Sequence, residues 1–170
     1  MTEIPVNVLQ FDLEKIRRDW MLITAGTKDR GYNTMTASWG HLGSIWGRES
    51  FGGLTSIVWV RPSRYTKEFL DREPLYTLSF FPKEQQSKLA YLGSHSGRDG
   101  DKVAAVGFTP VFGEGWTGFD QAELTLVCRK LYHAPLDPAG FTDRDYFRDF
   151  YADGDIHEMY LGEIVAAYQG

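Results

Sequence analysis

Short apolar runs separated by glycine-containing turns are the feature that most restricts the folds open to this chain. DWMLITAGT and YNTMTASWG lie on either side of the turn-like TKDRG and predict a β-hairpin. Further strands are predicted at TSIVWV, PLYTLSFF, AELTLVCRKLYHAPL and HEMYLGEIVAAY. Helices are predicted at only a few points between them and do not follow every strand. The pattern therefore favours a mainly β fold, an antiparallel sheet or closed barrel, over a doubly wound parallel sheet.

Three helices are predicted among these strands. One begins at Ser63, a second lies within KEQQSKLAYLGS and ends near Gly93, and a third, short one lies within DRDYFRDFYADG. The region from Val103 to Asp120 is rich in glycine and aromatic residues and is predicted to form irregular connections and short strands. No linker or repeat divides the 170 residues, so we predict a single domain spanning residues 1–170.

Composition argues against several classes of function. The formal net charge of −5 disfavours a general binder of nucleic acid, because such affinity depends on many basic contacts to phosphates. The only cysteine, Cys128, lies inside the apolar run LTLVC, which favours a core role over a reactive thiol, a disulfide or a zinc site. The start of the chain lacks a secretory pattern, and no apolar run approaches the roughly 20 residues of a membrane span. We therefore expect a cytoplasmic protein.

Two arginines at the predicted strand-to-helix junction VWVRPSRYTKEFL form the first candidate site. The amino-terminal end of a helix carries partial positive charge, so Arg61 and Arg64 are each unfavourable there by roughly 0.3–1 kcal/mol. They become favourable if an anion such as phosphate binds at the helix start, with Ser63 and Thr66 as hydroxyl donors. The alternative is a pair of solvated arginines, with Ser63 or Thr66 as the helix N-cap. The junction alone does not decide between the two.

The predicted strand NTMTASW is the second candidate, because two kinds of side chain alternate along it. Hydroxyls lie on one face and mostly apolar groups on the other: Thr34, Thr36 and Ser38 against Asn33, Met35, Ala37 and Trp39. One interpretation is hydrogen bonding to a planar polar ligand beside Trp39. The other is a partly exposed strand whose threonines reflect β-propensity.

The turn SGRDGDK is the third candidate, because it crowds charged side chains around two glycines. Taken alone, such a turn is usually a solvated loop with mutual charge pairs. Elsewhere, the histidines show no metal-ligand spacing, and HExxH, GxGxxG and Walker-type motifs are missing from the sequence. Hydrolase and nucleotide-hydrolysis functions therefore have little support.

Together, these segments resemble a known family. WMLITAG, YNTMTASWGHLGSIW, VRPSRYTKEFL, LSFFP, GSHSGRDGDK and a closing MYLGEI, in this order and at these spacings, are similar to the flavin reductase-like proteins, which include the flavoredoxins. The match extends from about Trp20 to Tyr168 and is weakest from Val111 to Tyr151. The resemblance implies an FMN-binding split barrel: a six-stranded antiparallel β-barrel with peripheral helices, working as a homodimer with the flavin at or near the interface.

The resemblance also implies which residues contact FMN. Asn33, Thr36, Ala37, Ser38 and Trp39 are expected along the isoalloxazine and ribityl chain. Arg61, Ser63, Arg64 and Thr66 are expected nearest the phosphate or the ribityl tail. Ser79 and Phe80 are expected to border the site, and Ser96, Arg98, Asp101 and Lys102 to close it. His157 is a further expected contact, with a structural or interfacial role as the alternative.

The implied activity is that of an oxidoreductase. In such a protein NADH or NADPH gives a hydride to flavin N5, and the reduced flavin passes electrons to a second flavin, an acceptor protein or oxygen. Because the cofactor carries the chemistry, no catalytic acid or base is expected, and Lys102 is expected to stabilise the anionic reduced flavin. The alternatives are a flavoredoxin-like electron carrier that acts on protein partners and a non-catalytic flavin-binding protein. The chain has no separate nicotinamide motif to decide among them.

Overall fold

Ten β-strands dominate the computed structural model, which describes residues 1–12, 14–47 and 52–170. The strands are Thr2–Ile4 (β1), Met21–Thr27 (β2), Gly31–Ala37 (β3), Gly40–Ile45 (β4), Gly53–Val60 (β5), Leu75–Phe80 (β6), Pro110–Gly113 (β7), Trp116–Phe119 (β8), Leu124–Pro135 (β9) and Glu158–Gln169 (β10). The predicted mainly β class is confirmed, and so is the hairpin, in which β2 pairs antiparallel with β3. The short strand β1 has no counterpart in the sequence prediction.

In the described part of the chain, five α-helices lie at the periphery of the strands. They are Glu14–Asp19 (α1), Thr66–Arg72 (α2), Gln86–Ser94 (α3), Lys102–Ala105 (α4) and Arg144–Tyr151 (α5). The helix predicted from Ser63 begins three residues later, and the one predicted from Lys83 opens with the 3-10 turn Lys83–Gln85. Within the described ranges, none of the helices has the length and apolar character needed to cross a membrane.

Eight strands form one antiparallel sheet in the order β3-β2-β6-β9-β10-β5-β4, with β1 added to β10. The other two strands, β7 and β8, form a separate antiparallel pair. β9 and β10 are the longest strands at 12 residues each, and β10 pairs with β9, β5 and β1. The antiparallel prediction is confirmed, but the sheet contains eight strands where six were expected, and among the described residues no ladder between its end strands closes it.

The two end strands of this sheet are neighbours in the sequence. β3 ends at Ala37 and β4 begins at Gly40, so only Ser38 and Trp39 connect them. Such a connection reaches at most about 11 Å, although five other strands separate β3 from β4 along the sheet. The sheet must therefore curl until its two edges meet at Ser38 and Trp39. We call this meeting point the seam.

The curled sheet is packed on both faces. One cluster of buried side chains, including Met21, Ile23 and Tyr160, fills the interior of the curl. A second cluster lies on the opposite face of β2, where Leu22 packs with Leu89 of α3 and other residues of the peripheral elements. Because successive residues of β2 point to opposite faces, this one strand contributes to both clusters. The second cluster thereby fixes α3 and α4 against the outer face of the curled sheet.

Candidate functional site

A cavity of about 170 Å³ opens at the seam. It is lined by residues of β3, the seam, β5 and the segments that follow β5 and α5: Met35, Thr36, Ala37, Ser38, Trp39, Trp59, Arg61, Arg64 and His157. We call it the arginine cavity. Seven of these nine residues were predicted from the sequence as cofactor contacts. Met35 and Trp59 were not predicted, although Trp59 stands two residues before Arg61 in the same apolar run.

Arg61 and Ser63 are held by carboxylates from a distant part of the chain. Arg61 pairs with Asp153 at 2.8 Å and also donates to the carbonyl of Phe150 at 2.9 Å. The Ser63 hydroxyl donates to Asp155 at 2.5 Å, and its backbone N–H donates to the same carboxylate at 3.2 Å. The segment that follows α5 therefore supplies anionic partners to this junction. Ser63 does not cap α2, because the helix begins at Thr66.

Arg64 is in a different electrostatic situation. Its guanidinium donates to the carbonyl oxygen of Gly93 at 2.9 Å, and it forms no ion pair with a carboxylate among the residues that the structure describes. The side chain is exposed and lines the arginine cavity. Its positive charge contributes to lowering the pKa of both Lys102 and His157. Arg64 is thus a cation with free hydrogen-bond donors at the mouth of the cavity.

The polar side chains of β3 are already hydrogen-bonded within the protein. The buried Asn33 donates to the hydroxyl of Thr66, also buried, at 2.8 Å. The Thr36 hydroxyl donates to the carbonyl of Leu89 at 2.5 Å, which joins β3 to α3. These contacts place β3 and the start of α2 in fixed positions. The amide of Asn33 and the hydroxyl of Thr66 therefore serve the fold, while Thr36 still borders the cavity.

Trp39 and His157 form the aromatic side of the arginine cavity. The Trp39 indole is 46% exposed, and its ring lies 5.2 Å from the ring of His157. His157 is buried, and its Nδ1 is 3.0 Å from the hydroxyl of Tyr151 on α5. Burial and the nearby Arg61 lower the pKa of His157 to about 4, so the ring is neutral at pH 7. The cavity consequently combines cationic guanidinium groups with uncharged aromatic rings.

A second cavity of about 350 Å³ contains the turn that was predicted to close the site. Asn33, Asp101 and Lys102 are among its lining residues. Lys102 is buried and donates to the carbonyls of Leu92 and His95 at 2.7 and 2.9 Å. Burial, assisted by the charge of Arg64, lowers the pKa of Lys102 to about 8. In this chain the ammonium group is thus directed at backbone carbonyls beside α3.

The remaining members of the turn have local partners. Asp101 caps α4 by accepting from the N–H groups of Val103 and Ala104 at 3.1 and 3.0 Å. Arg98 pairs with Glu68, and its guanidinium lies 4.4 Å from the ring centre of Tyr65. The Ser96 hydroxyl accepts from the backbone N–H of Arg98 at 3.1 Å. None of these three, among the described residues, lines the arginine cavity.

Ser79 and Phe80 lie in the core. Both are fully buried; the Ser79 hydroxyl bonds to Thr125 at 3.2 Å, and Phe80 packs edge-on against Phe11 with 4.7 Å between ring centres. These two side chains were expected to border the site, and neither lines the arginine cavity or the second one. They belong to β6, which lies inside the sheet between β2 and β9.

The donor set of the arginine cavity fits a planar anionic cofactor. A guanidinium without a carboxylate partner favours phosphate, because its planar fork donates two parallel hydrogen bonds. An exposed indole provides an apolar surface for a flat ring system. Among the described residues, the guanidinium and aromatic groups gathered here fit FMN by their chemistry.

Comparison with known proteins places the fold. No protein-family model and no curated protein matches the chain. Among solved structures, the chain is similar to a flavoredoxin from Methanosarcina acetivorans, with 21% identity and a TM-score of 0.67 over 89% of this chain and 68% of that one. It is also similar to an FMN-binding protein from Thermus thermophilus, with 20% identity and a TM-score of 0.66 over 98% and 82% of the two chains.

A third similar structure is an NADH:FAD oxidoreductase from Streptomyces globisporus C-1027, with 18% identity and a TM-score of 0.64 over 89% of this chain and 75% of that one. The three proteins share with this chain a mainly antiparallel β architecture. The chain therefore has the split-barrel fold found in flavoredoxins and flavin reductase-like FMN-binding proteins.

His157 leads to a prediction about pH and stability. Its pKa is about 4 in the folded protein against 6.5 for an ordinary histidine, so between these values the unfolded chain binds a proton that the folded chain does not. The contribution of His157 is therefore fully present above about pH 6.5 and is lost as pH falls toward 4. Urea titrations should show the free energy of unfolding falling over this window by up to about 3 kcal/mol more in the wild type than in His157→Gln.

His41→Gln is the matched control for this measurement, because His41 is an exposed histidine near the same seam. It should keep the pH slope of the wild type. Equal slopes for His157→Gln and the wild type would contradict a neutral, buried His157.

Proposed function

We propose that the chain binds FMN in the arginine cavity and acts as a flavin-dependent oxidoreductase. One observation carries the proposal: Arg64 presents a guanidinium without a carboxylate partner, among the described residues, at a cavity that also contains an exposed tryptophan. A chain with a net charge of −5 has many carboxylates, so an arginine left without one at such a place favours an external anion. The fold shared with flavin-binding proteins supports the same assignment.

In this proposal the protein binds and orients, and the cofactor supplies the redox chemistry. FMN, when bound, accepts a hydride and donates electrons in one- or two-electron steps. Arg64 holds the anionic end, Ser38 and Trp39 border the ring, and the neutral His157 contacts Trp39 in the cavity wall. Lys102 is the cation proposed to favour the anionic reduced state over the neutral one. No side chain needs to act as a general acid or base.

The nicotinamide nucleotides NADH and NADPH are the proposed electron donors. The likeness to an NADH:FAD oxidoreductase supports this assignment, and the likeness to flavoredoxins supports the second candidate, an FMN electron carrier that exchanges electrons with protein partners. The arginine cavity is compatible with both, since each needs a bound flavin.

A homodimer is the proposed assembly. The arginine cavity, at about 170 Å³, is smaller than the roughly 300–1,000 Å³ of typical cofactor pockets, so FMN needs a further wall. Ile45 of β4 and Leu131 of β9 are each about 40% exposed and line one cavity together. Exposed large apolar side chains that lie together are typical of a protein interface. A second copy of the chain is the occupant that we propose for it.

Substitution of Arg64 tests the phosphate assignment. Arg64→Ala should weaken FMN binding about 10- to 100-fold, because a charge-assisted hydrogen bond contributes about 1.5–3 kcal/mol. It should leave riboflavin binding nearly unchanged, because riboflavin has no phosphate. Flavin fluorescence titration measures both affinities.

Arg72→Ala is the matched control, since Arg72 lies at the other end of α2 and is paired with Glu73. It should bind both flavins as the wild type does. Equal losses of FMN and riboflavin in Arg64→Ala would place Arg64 at the ring or the ribityl chain and contradict a phosphate contact. A wild-type protein that binds neither flavin would overturn the proposed function itself.

Anaerobic mixing with a nicotinamide nucleotide separates the two candidate activities. If the chain is a reductase, the absorbance of bound FMN near 450 nm should bleach within seconds of adding NADH or NADPH, since hydride transfer in enzymes commonly runs at about 1–1,000 per second. Dithionite serves as the positive control for reduction. A flavin that dithionite bleaches and neither nucleotide does would favour the electron carrier.

The assembly has its own test. Leu131→Glu should convert the dimer to a monomer and weaken FMN binding, because a charge introduced into an apolar interface is left unpaired on burial. Light scattering after size-exclusion chromatography gives the mass. Val8→Glu, at an exposed apolar residue near the amino-terminal end, should stay dimeric. A wild-type monomer that nevertheless binds FMN tightly would contradict the proposed assembly.

A further inference from the structure

Two carboxylates and an imidazole come together outside the arginine cavity. Asp71 lies in the last turn of α2, His133 near the end of β9 and Glu158 at the start of β10. One ligand atom from each of them lies within 4.8 Å of the other two. We call these three residues the acid–imidazole cluster. None of them, in the part of the chain that the structure describes, lines the arginine cavity.

The folded sheet, and not the spacing in the sequence, brings the cluster together. β9 pairs with β10 so that His133 lies opposite Tyr160, two residues after Glu158. The Tyr160 hydroxyl in turn donates to a carboxylate oxygen of Asp71 at 2.6 Å, which connects α2 to the two strands. Because the three residues of the cluster belong to three separate segments of the chain, no metal-ligand spacing in the sequence predicts them.

Tyr160 positions the side chains of the cluster. Its ring is fully buried and lies nearly parallel to the imidazole of His133, with 5.4 Å between ring centres and an interplanar angle of 12°. In this orientation Nδ1 of His133 is 3.8 Å from a carboxylate oxygen of Glu158. The same tyrosine holds Asp71 through its hydroxyl. Contacts that orient the ligands from outside in this way are characteristic of metal sites in proteins.

A cation of the protein already lies between the two carboxylates. The ammonium of Lys67 is 2.7 Å from Asp71 and 3.1 Å from Glu158. One positive charge neutralises only one of the two carboxylates, whereas a divalent ion in the same place neutralises both. The position between the carboxylates therefore favours an ion of higher charge than the ammonium.

A second ammonium restricts which ion is favoured. Lys130 donates to the backbone carbonyls of Leu70 and Asp71 at 2.5 and 3.0 Å, and its charge repels any cation that approaches Asp71. An ion that gains from charge alone is disfavoured accordingly, and one that also forms a coordination bond with the imidazole nitrogen is favoured. Mg²⁺ and Ca²⁺ prefer oxygen ligands, whereas Zn²⁺ and similar transition-metal ions bind imidazole nitrogen together with carboxylate oxygen.

The dimensions of the cluster suit one such ion. Zn²⁺ lies about 2.0–2.2 Å from its nitrogen and oxygen ligands, so two ligands of one ion are at most about 4.4 Å apart. Separations within 4.8 Å reach this limit through small rotations of Asp71 and His133, whose side chains are 42% and 48% exposed. Three protein ligands leave the fourth position of tetrahedral Zn²⁺ to water.

We propose that the acid–imidazole cluster binds a divalent transition-metal ion of the Zn²⁺ type. Asp71, His133 and Glu158 each supply one ligand atom, and the ammonium of Lys67 moves out to solvent. The bound ion joins α2, β9 and β10 and stabilises the folded chain, because the unfolded chain does not hold the three ligands together. The site does not depend on the proposed FMN binding.

Calorimetric titration of the metal-free, tag-free protein with ZnCl₂ tests the site. One Zn²⁺ should bind per chain, and Mg²⁺ should bind at least about tenfold more weakly because it gains little from an imidazole. His133→Gln removes a ligand at a half-exposed position and should weaken Zn²⁺ binding at least about tenfold. His95→Gln is the matched control, since His95 is also an exposed histidine with its ring stacked on a tyrosine, Tyr91. It should bind Zn²⁺ as the wild type does.

Lys67→Met gives a result that a purely structural ion pair would not give. The substitution removes the competing ammonium, so the affinity for Zn²⁺ should rise about tenfold although two salt bridges are lost. Lys83→Met, at an exposed lysine outside the cluster, should leave the affinity unchanged. Tyr160→Phe removes the hydroxyl that holds Asp71 and should weaken Zn²⁺ binding about tenfold.

Four results would overturn the metal site: no Zn²⁺ binding by the wild type, equal Zn²⁺ affinity in His133→Gln and the wild type, Mg²⁺ binding as tight as Zn²⁺ binding, or no rise in affinity in folded Lys67→Met. The His133→Gln comparison decides even if Lys67→Met does not fold. FMN titrations of the same preparations keep the two proposals apart. A protein that binds Zn²⁺ in the expected pattern and not FMN would refute only the proposed function, and one that binds FMN and not Zn²⁺ would refute only the metal site.

Discussion

The two-residue connection between β3 and β4 is the constraint on which the rest of this structure depends. These strands occupy opposite ends of a seven-strand path, and Ser38 and Trp39 are all that joins them. A flat sheet would hold its end strands about 29 Å apart at the usual strand spacing of about 4.8 Å. A two-residue connection cannot span that distance, so the short connection alone forces the sheet to curl. The arginine cavity lies at the place where the edges are brought together, because Ser38 and Trp39 line it.

The local charge of the site is opposite to the charge of the whole chain. The net charge is −5, yet Arg61 and Arg64 line the arginine cavity, and Lys102 lies close enough for the charge of Arg64 to help lower its pKa. They differ in how far the protein itself satisfies them: Asp153 pairs with Arg61, backbone carbonyls surround the ammonium of Lys102, and Arg64 receives one carbonyl. Because Arg64 has the fewest partners within the protein, the proposal of an anion-binding site depends on Arg64. The sequence alone does not distinguish Arg64 from Arg61.

Most of the fold was predictable from the sequence, because period-two patterns and glycine-bounded turns are local signals. The hairpin β2–β3 and the long strands β9 and β10 follow them closely. The start of α2 does not follow the local pattern. Ser63 bonds to Asp155, a residue 92 positions later, instead of capping the helix. The seam residues and both arginines of the site were predictable as a group. The burial of Ser79 and Phe80 was not predictable, because it depends on where β6 lies in the folded sheet.

The ion pair between Arg61 and Asp153 has a consequence for ligand exchange. A carboxylate of the protein already stands as an internal counter-ion for one of the two arginines of the cavity. An incoming anion that reaches Arg61 has to replace this counter-ion, so part of its electrostatic gain is cancelled by the contact that it breaks. An anion that leaves finds the counter-ion ready to return. Under the proposed function, this competition weakens the hold of Arg61 on an external anion and leaves Arg64 as the stronger anion-binding group of the cavity.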